Sequence, residues 1–273
     1  MNTHYSFSII TVNYNSGDLL SNLIKSIYDH IDHSFEIIVV DNCSSDKSIE
    51  LVNKCFKHKD NLKIVINQTN TGFSYANNQG AEIANGRFLH FLNPDTIVSH
   101  DLNKLYSEIL IDCKDAIYVT SLKDFEGNEL KSKQKIPTLT NYYNCLFRKG
   151  KIQYWYTGAS LVMSSKVFDK IEKWNTNYFL YSEDLDLFYK AYMHEITILY
   201  VDTKIVHIEK GCSTNVWNNF QRELRVQKSF KQFFKLGRTN VHLDGHVNWC
   251  LHWRGINHTD FKQYPQWASE SRV

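Results

Sequence analysis

The sequence has little proline and lacks an apolar run long enough to cross a membrane. Its 273 residues include three prolines, and no apolar stretch approaches the roughly 18 residues that a membrane span needs. The first residues show no charged segment followed by a long apolar stretch, so we expect no signal peptide. These absences predict a cytoplasmic protein, with any membrane contact peripheral.

Charge and cysteine content argue against two further classes of protein. The formal net charge is +2, so no overall field favours nucleic acid as a partner. The six cysteines form no C-x-x-C pair, and their scatter matches neither a zinc site nor a disulfide framework. We therefore expect buried or incidental thiols in the reduced state.

Three motifs of common nucleotide-binding enzymes and hydrolases are missing. No G-x-G-x-x-G follows the first predicted strand and no G-x-x-x-x-G-K-[ST] occurs, which argues against dinucleotide oxidoreductases and P-loop enzymes. No G-x-S-x-G occurs either, which argues against an α/β-hydrolase.

The first 121 residues do contain a regular alternation of strand-like and helix-like segments. Short, mostly apolar segments predict strands at 7–12, 35–40, 62–66, 87–92 and 116–121. Segments with helical spacing lie between them, at 18–31, 46–56, 74–84 and 101–110. Alternation of this kind predicts an α/β fold with a mostly parallel, doubly wound sheet.

The pattern is less regular after residue 121. Residues 123–151 are polar and irregular, which predicts a long loop that serves as a lid or an acceptor surface. Beyond it we predict strands at 157–163, 196–201 and 205–207, and helices at 166–173, 182–190 and 220–236, with Ser182 as an N-cap. We expect one domain over residues 1–215, with halves at 1–121 and 122–215, and a C-terminal extension over 216–273 that consists of an amphipathic helix and an aromatic tail.

The last predicted helix allows two interpretations. It alternates basic residues with phenylalanines, and a basic amphipathic helix can lie on an anionic membrane. Alternatively, its aromatic stripe packs on the domain and its basic face is solvated.

Polar residues gather where four of the predicted strands end. The clusters are Asn13-Tyr-Asn15, Asp41 to Asp46, Asn70 to Gly80 and Asn93-Pro-Asp95. Each cluster alone could be a capped turn, but parallel strands would bring all four to one rim, where α/β sheets bind ligands. At this rim Asp95, with Asn93 and Thr96 beside it, suits a divalent metal that carries a diphosphate.

These clusters, together with later segments, resemble glycosyltransferase family 2. The matching segments are Asn13-Tyr-Asn15, Asp41-Asn-Cys-Ser-Ser-Asp46, Asn70-Thr-Gly-Phe73, Asn78-Gln-Gly80, Gly86, Leu92-Asn-Pro-Asp-Thr96, Thr157-Gly-Ala159, Glu183-Asp-Leu-Asp186 and His207. Within the family, the chain is most similar to the bacterial rhamnosyltransferase-like branch. The resemblance covers roughly residues 6 to 235 and implies a GT-A fold, a nucleotide-sugar donor and inversion at the anomeric carbon.

The resemblance also implies roles for individual residues. Asp184 would be the catalytic base, Asp95 would hold Mg²⁺ or Mn²⁺ on the donor diphosphate with His207 nearby, and Asp41 would bind the nucleoside base. The donor-binding positions would be Thr11, Val12, Asn13, Asp41, Asn70, Gly72, Asn78 and Asn93. The positions on the acceptor side or of other function would be Gly158, Glu183 and Asp186.

Such roles fit the chemistry of glycosyl transfer. The acceptor hydroxyl loses a proton as it attacks, which a carboxylate can accept. Negative charge builds up on the leaving diphosphate, which a metal can neutralise.

The sequence departs from the family pattern at Asn93, at Lys190 and at His194-Glu195, which replaces the usual small or glycine turn. Asn93 replaces the usual first aspartate of the metal motif, which leaves one carboxylate fewer for the metal. Lys190 stands where the family usually has arginine, and lysine cannot make the same bidentate contact with a phosphate.

The resulting hypothesis is a metal-assisted, inverting glycosyltransferase. It would move a sugar from dTDP-rhamnose or a UDP-sugar to a hydroxyl of a bacterial surface glycan, such as O-antigen or capsule, on a lipid-linked acceptor. Two alternatives remain open. One is a nucleotidyltransferase, although the segment from Asn13 to Gly17 is a poor match for the glycine-rich, basic loop of that class. The other is a non-catalytic sugar-nucleotide-binding or scaffold protein of the same fold.

Overall fold

The computed structural model describes residues 5–208 and 218–238. The strands are β1 Tyr5–Asn13, β2 Phe35–Asp41, β3 Leu62–Ile66, β4 Gly86–Leu92, β5 Thr96–Ile97, β6 Ala116–Lys123, β7 Lys133–Lys135, β8 Tyr154–Tyr156, β9 Ser160–Ser164 and β10 Thr197–His207. The helices are α1 Asp18–His30, α2 Ser48–Phe56, α3 Phe73–Glu82, α4 Asp101–Asp112, α5 Leu139–Phe147, α6 Ser165–Lys170, α7 Glu183–Met193 and α8 Asn219–Lys235. The aromatic tail predicted beyond residue 238 lies outside the described residues.

Eight strands form one sheet in the order β3-β2-β1-β4-β9-β6-β10-β5. Strand β1 pairs in parallel with β2 and β4, β2 with β3, and β6 with β10. Strand β9 runs antiparallel between β4 and β6, and β5 runs antiparallel to the end of β10. The predicted α/β class with a mostly parallel sheet is confirmed, with β9 and β5 as its antiparallel members.

The core lies on both faces of this sheet because its central strands are apolar on both sides. All seven residues of β2 are buried. Ile38 and Val40 belong to one hydrophobic cluster, with residues of α6 and α7, while Ile37 and Val39 belong to a second cluster with α1 and α4. Successive side chains of a strand face opposite ways, so the apolar run from Ile37 to Val40 serves two helical layers.

The loop predicted for residues 123–151 is wrong, because this segment contains β7 and α5. Strand β7 pairs with β8 in a separate two-stranded sheet. The Thr138 hydroxyl caps α5 by accepting a hydrogen bond from the Asn141 N–H at 3.2 Å. The helix was missed because polar residues lie on both sides of it, although its apolar residues have helical spacing and Thr138 is a recognisable N-cap.

Smaller differences concern the acceptor half. The strands predicted at 196–201 and 205–207 are one strand, β10, with an irregularity between Val201 and Lys204. Strand β5 was missed because it has only two residues. The strand predicted at 157–163 begins at Ser160. Ser182 is the N-cap residue of α7, as predicted, but its side chain makes no capping hydrogen bond.

Helix α8 packs its aromatic stripe on the domain. Phe233 is fully buried, and Phe230 and Phe234 pack against the same hydrophobic cluster. Beyond the helix, Arg238 Nε lies 2.9 Å from Asp186 Oδ1 in α7. The structure therefore agrees with the packing interpretation for Phe230, Phe233 and Phe234, whereas Phe220 at the start of the helix is exposed. Within residues 5–208 and 218–238, no helix is both long and apolar enough to span a bilayer.

The division of the chain at residues 121 and 215 stays a prediction.

A buried histidine in β4 should make stability depend on pH. His90 is fully buried, with Nδ1 2.7 Å from the Tyr106 hydroxyl and Nε2 2.9 Å from the Ser160 hydroxyl. Burial lowers the pKa of His90 to about 3. Below about pH 6.5 the unfolded chain binds a proton that the folded chain does not. The contribution of His90 is therefore complete above pH 6.5, and we expect stability to fall by about 1.4 kcal/mol per pH unit below it, through this group alone.

Urea unfolding between pH 7 and pH 5 measures this slope. His90→Gln removes the titration but keeps polar atoms, so we expect a shallower slope than in the wild type. His58→Gln changes an exposed histidine and should leave the slope unchanged. Equal slopes for the wild type and His90→Gln would contradict the assignment.

Candidate functional site

The order of the strands creates a crevice at the end of β1. Strands β2 and β3 follow on one side of β1, whereas β4 lies on its other side. Strand β1 pairs with β2 as far as Asn13, but its register with β4 runs only from Tyr5 to Ile10. The backbone of Thr11, Val12 and Asn13 therefore lies where the strand order reverses, which is where open α/β sheets bind ligands.

Side chains tie the ends of β1 and β2 together at this crevice. Asn13 Nδ2 donates to Asp41 Oδ1 at 2.7 Å and to the Ser48 hydroxyl at 2.8 Å. Ser44 donates to Asp41 twice, through its hydroxyl at 2.6 Å and its N–H at 3.0 Å. Asp41 is thus a buried residue that fixes the turn after β2. Its contact with a nucleoside base stays a prediction.

The start of α3 forms the next part of the rim. Asn70 Oδ1 accepts a hydrogen bond from the Gly72 N–H at 3.0 Å. Gly72 has φ +84°, and a Cβ there would lie 2.6 Å from the Phe179 carbonyl oxygen. Only glycine tolerates both conditions. The Phe73 N–H donates to the same carbonyl at 2.8 Å. The predicted residues Asn70 and Gly72 therefore belong to a turn that packs against the segment carrying Phe179.

Asn78 holds the same segment farther along α3. Its Nδ2 donates to the Trp174 carbonyl at 2.9 Å, and its Oδ1 accepts from the Trp174 N–H at 3.1 Å. A direct donor contact by Asn78 stays a prediction. The segment between α6 and α7 was not among the predicted site residues, although its aromatic residues Trp174, Tyr178, Phe179 and Tyr181 are a visible signal in the sequence.

Asp95 and His207 meet because β5 pairs with the end of β10. Thr96 is in register with His207, and the Ile208 N–H donates to the Asp95 carbonyl at 2.8 Å. As a result, His207 Nε2 lies 3.3 Å from Asp95 Oδ1, with both side chains about nine-tenths buried. The two residues predicted to approach a metal are therefore neighbours in the fold, although they lie 112 residues apart in the chain.

The pair suits a divalent cation with few protein ligands. Adjacent ligand atoms about 2.1 Å from an octahedral ion lie about 3 Å apart, close to the observed separation. A carboxylate and an imidazole are ligands that manganese accepts. In the part of the chain that the structure describes, no three His, Cys, Asp or Glu side chains are grouped to hold a metal. Asn93 lies beside the pair and its N–H donates to the Ala159 carbonyl at 2.9 Å.

Asp184 lies in the first turn of α7, against the backbone of Gly158. Its Oδ1 accepts from the Leu185 N–H at 2.8 Å and its Oδ2 from the Gly158 N–H at 3.3 Å. A Cβ on Gly158 would lie 3.3 Å from the Asp184 Cβ, so glycine permits the close approach. Two N–H donors and the start of a helix stabilise a negative charge on Asp184. The side chain remains partly exposed, as a base that meets an acceptor must be.

Glu183 differs from Asp184 in being buried. Its Oε2 has no hydrogen-bond partner among the described residues. Burial, and then the charge of Asp184, raise the pKa of Glu183 well above that of an ordinary glutamate. Glu183 therefore holds a proton more readily than an ordinary glutamate does.

The turn before these acids is strained. Tyr181 and Ser182 have φ angles of 71° and 63°, in the left-handed region that costs non-glycine residues roughly 1–2 kcal/mol each. Strain of this kind is concentrated at functional sites, where surrounding contacts hold it. Here it sets the direction in which Glu183 and Asp184 enter α7.

Asp186 and Lys190 anchor the fold rather than line an open site. Asp186 is fully buried, within 2.9 Å of Arg238 Nε, and accepts from Asn175 Nδ2 at 3.2 Å. Lys190 is also buried and donates to the Glu172 carbonyl at 3.2 Å. An acceptor contact by Asp186 stays a prediction, whereas its observed partners join α7 to the end of α8.

Comparison with known proteins agrees with this geometry. A family model described as "Glycosyl transferase family 2" matches residues 8–172. A crystal structure of S. aureus TarS 1–349 in complex with UDP is similar with a TM-score of 0.57 and 20% identity, covering 89% of this chain and 78% of that chain. The same protein with UDP-GlcNAc gives a TM-score of 0.55 and 20% identity, covering 82% and 64%.

A third solved structure, GalNAc-T7 with UDP, GalNAc and Mn²⁺, has a TM-score of 0.59 and 17% identity, covering 74% of this chain and 43% of that chain. No curated protein sequence matches the chain. The structural likenesses confirm the predicted GT-A fold.

Proposed function

Because this chain belongs to glycosyltransferase family 2, we propose that it moves a sugar, with inversion, from a nucleoside-diphosphate donor to a hydroxyl of a bacterial surface glycan. One observation carries this proposal. Asp184 contacts Gly158, and the next residue, Ala159, accepts a hydrogen bond from Asn93, two residues before Asp95. A short stretch of backbone thus joins a partly exposed carboxylate to the Asp95–His207 pair, which matches a base and a diphosphate site in one enzyme.

In this proposal Asp184 accepts the proton of the acceptor hydroxyl as that oxygen attacks the sugar. The N–H groups of Gly158 and Leu185 orient the carboxylate, and burial raises the pKa of the neighbouring Glu183. Asp95 and His207 would hold Mg²⁺ or Mn²⁺, which when bound neutralises charge on the departing diphosphate.

The choice of donor and acceptor is also part of the proposal. The donor is a UDP-sugar or dTDP-rhamnose, and the UDP complexes of the structural neighbours make UDP-sugars the first to test. We assign the chain to a rhamnosyltransferase-like branch that acts in O-antigen or capsule synthesis, on a lipid-linked acceptor at the cytoplasmic face of the inner membrane. The resemblance of its motifs to that branch supports this assignment.

A panel of nucleotide sugars, with and without Mn²⁺, tests the proposed function. We expect a UDP- or dTDP-sugar to raise the melting temperature by a few degrees with Mn²⁺, because a ligand that binds the folded state stabilises it. Longer incubation should release the nucleoside diphosphate. Binding without release in the presence of acceptor extracts would indicate the non-catalytic alternative. Turnover of a nucleoside triphosphate instead would indicate a nucleotidyltransferase.

A further inference from the structure

The segment around α5 carries a concentrated positive charge. No acidic residue occurs between Glu129 and Asp169. Six basic residues lie in the first part of this interval, and all are exposed: Lys131, Lys133, Lys135, Arg148, Lys149 and Lys151. In a chain whose net charge is only +2, this is a local basic surface rather than a general property.

Helix α5 also turns its apolar side outward. Tyr143, Leu146 and Phe147 are 55%, 58% and 59% exposed, and Leu139 extends the same stripe one turn earlier. The rings of Tyr143 and Phe147 stack with centroids 6.0 Å apart. Soluble proteins place such a stripe against their core, so its exposure marks a binding surface.

A polar residue holds the helix in this orientation. Asn141 is the buried residue of α5. Its Nδ2 donates to the carbonyls of Ile136 at 2.8 Å and Gln153 at 2.7 Å, and its Oδ1 accepts from the Gln153 N–H at 2.9 Å. Three hydrogen bonds on the inner side thus fix the apolar side outside, an inversion of the usual arrangement.

We propose that α5 and its six basic neighbours, here called the α5 surface, bind an anionic lipid bilayer. Tyr143, Leu146 and Phe147 would enter the boundary between head groups and acyl chains, while lysine and arginine contact lipid phosphates. The charge complementarity selects a bilayer with anionic lipids over a neutral one. This assignment moves the membrane contact from α8, where Phe230, Phe233 and Phe234 pack on the domain, to α5.

The position of α5 connects this surface to the site. Strands β7 and β8 enclose α5 in the chain and pair with each other. Strand β8 ends at Tyr156, two residues before Gly158, whose N–H contacts Asp184. A bilayer bound at α5 would therefore present a lipid-linked hydroxyl to the Asp184 side. This link rests on the proposed function, whereas bilayer binding itself does not.

Co-sedimentation of the full chain with lipid vesicles tests the proposal. We expect binding to vesicles of phosphatidylcholine with about one third phosphatidylglycerol, little binding to phosphatidylcholine alone, and weakening with added salt. The triple variant Tyr143→Ser, Leu146→Ser, Phe147→Ser and the triple variant Arg148→Glu, Lys149→Glu, Lys151→Glu should each bind at least about tenfold more weakly.

Matched substitutions elsewhere serve as controls. Ile111→Ser alters an exposed apolar residue of α4, and Lys54→Glu with Lys57→Glu reverses two exposed charges near α2. Both should bind vesicles as the wild type does. The proposal would be overturned if the α5 variants bound vesicles as tightly as the wild type does, or if neutral vesicles were bound equally well. Self-association through α5 without vesicle binding would also overturn it.

Donor binding separates this proposal from the proposed function. The α5 variants should retain the melting-temperature rise caused by a UDP- or dTDP-sugar with Mn²⁺. Vesicle binding by a chain that binds no nucleotide sugar would leave the α5 surface intact and reject the glycosyltransferase. Donor binding and turnover without vesicle binding would support the glycosyltransferase and reject the proposed role of the α5 surface.

Discussion

Asp184→Asn is expected to keep the fold and donor affinity while sugar transfer falls by about 10²–10⁴-fold, the usual contribution of a general base. Asparagine has nearly the same shape, and its single amide oxygen can still accept from one of the Gly158 and Leu185 N–H groups, which bond to separate oxygens of Asp184. It cannot accept the proton of the acceptor hydroxyl. The loss should therefore appear in kcat, with little change in the melting temperature or in donor affinity.

The measurement compares nucleoside diphosphate release and donor affinity in the same preparations. Asp60→Asn, at an exposed aspartate between α2 and β3, is the matched control and should behave as the wild type. Near-normal turnover by Asp184→Asn would show that another group removes the proton.

Asp95→Asn is expected to abolish the part of donor affinity that depends on a divalent metal. Asp95 supplies the only carboxylate of the Asn93–Asp95 motif, and His207 alone is a weak site for a hard cation. We expect the affinity for UDP in Mn²⁺ to fall at least about tenfold, to the level measured in EDTA. Titration calorimetry with Mn²⁺ and with EDTA gives both values.

Asn93→Asp provides the opposite change at the same corner. It restores the carboxylate that the family pattern usually has, so it should tighten Mn²⁺-dependent binding of UDP rather than weaken it. If Asp95→Asn binds UDP with Mn²⁺ as tightly as the wild type does, the Asp95–His207 pair is not the metal site.

Much of the donor half could be predicted from the sequence because its signals are local. Strand β2 is apolar apart from Glu36 and Asp41 and is buried on both faces, and β3 was predicted with its exact limits. The polar clusters after β1 and β2 were expected at one rim, and Asn13 does bind Asp41 there. Local sequence patterns are enough to predict the strands and helices where each strand is followed by its own helix.

The acceptor half was harder because its contacts join distant residues. The two-residue β5 carries no periodicity, yet its pairing with β10 brings His207 to Asp95. The contact of Gly158 with Asp184 crosses 26 residues, and that of Asn78 with Trp174 crosses 96. Family resemblance grouped some of these residues, but only the fold shows which of them touch.

Helix α5 was missed for a different physical reason. Its apolar residues have helical spacing, but they lie within a polar segment that was interpreted as one loop. In the structure its one buried residue is polar and its apolar residues are exposed, and this inversion marks it as a binding surface.

Proton NMR of a nucleotide sugar incubated with the protein and Mn²⁺ tests the central claim most directly. At early times, before released sugar equilibrates between anomers, the account predicts a product whose anomeric configuration is opposite to that of the donor, whether the acceptor is a hydroxyl or water. A product that retains the donor configuration, or a full panel of UDP- and dTDP-sugars left intact in the presence of acceptor extracts, would contradict it.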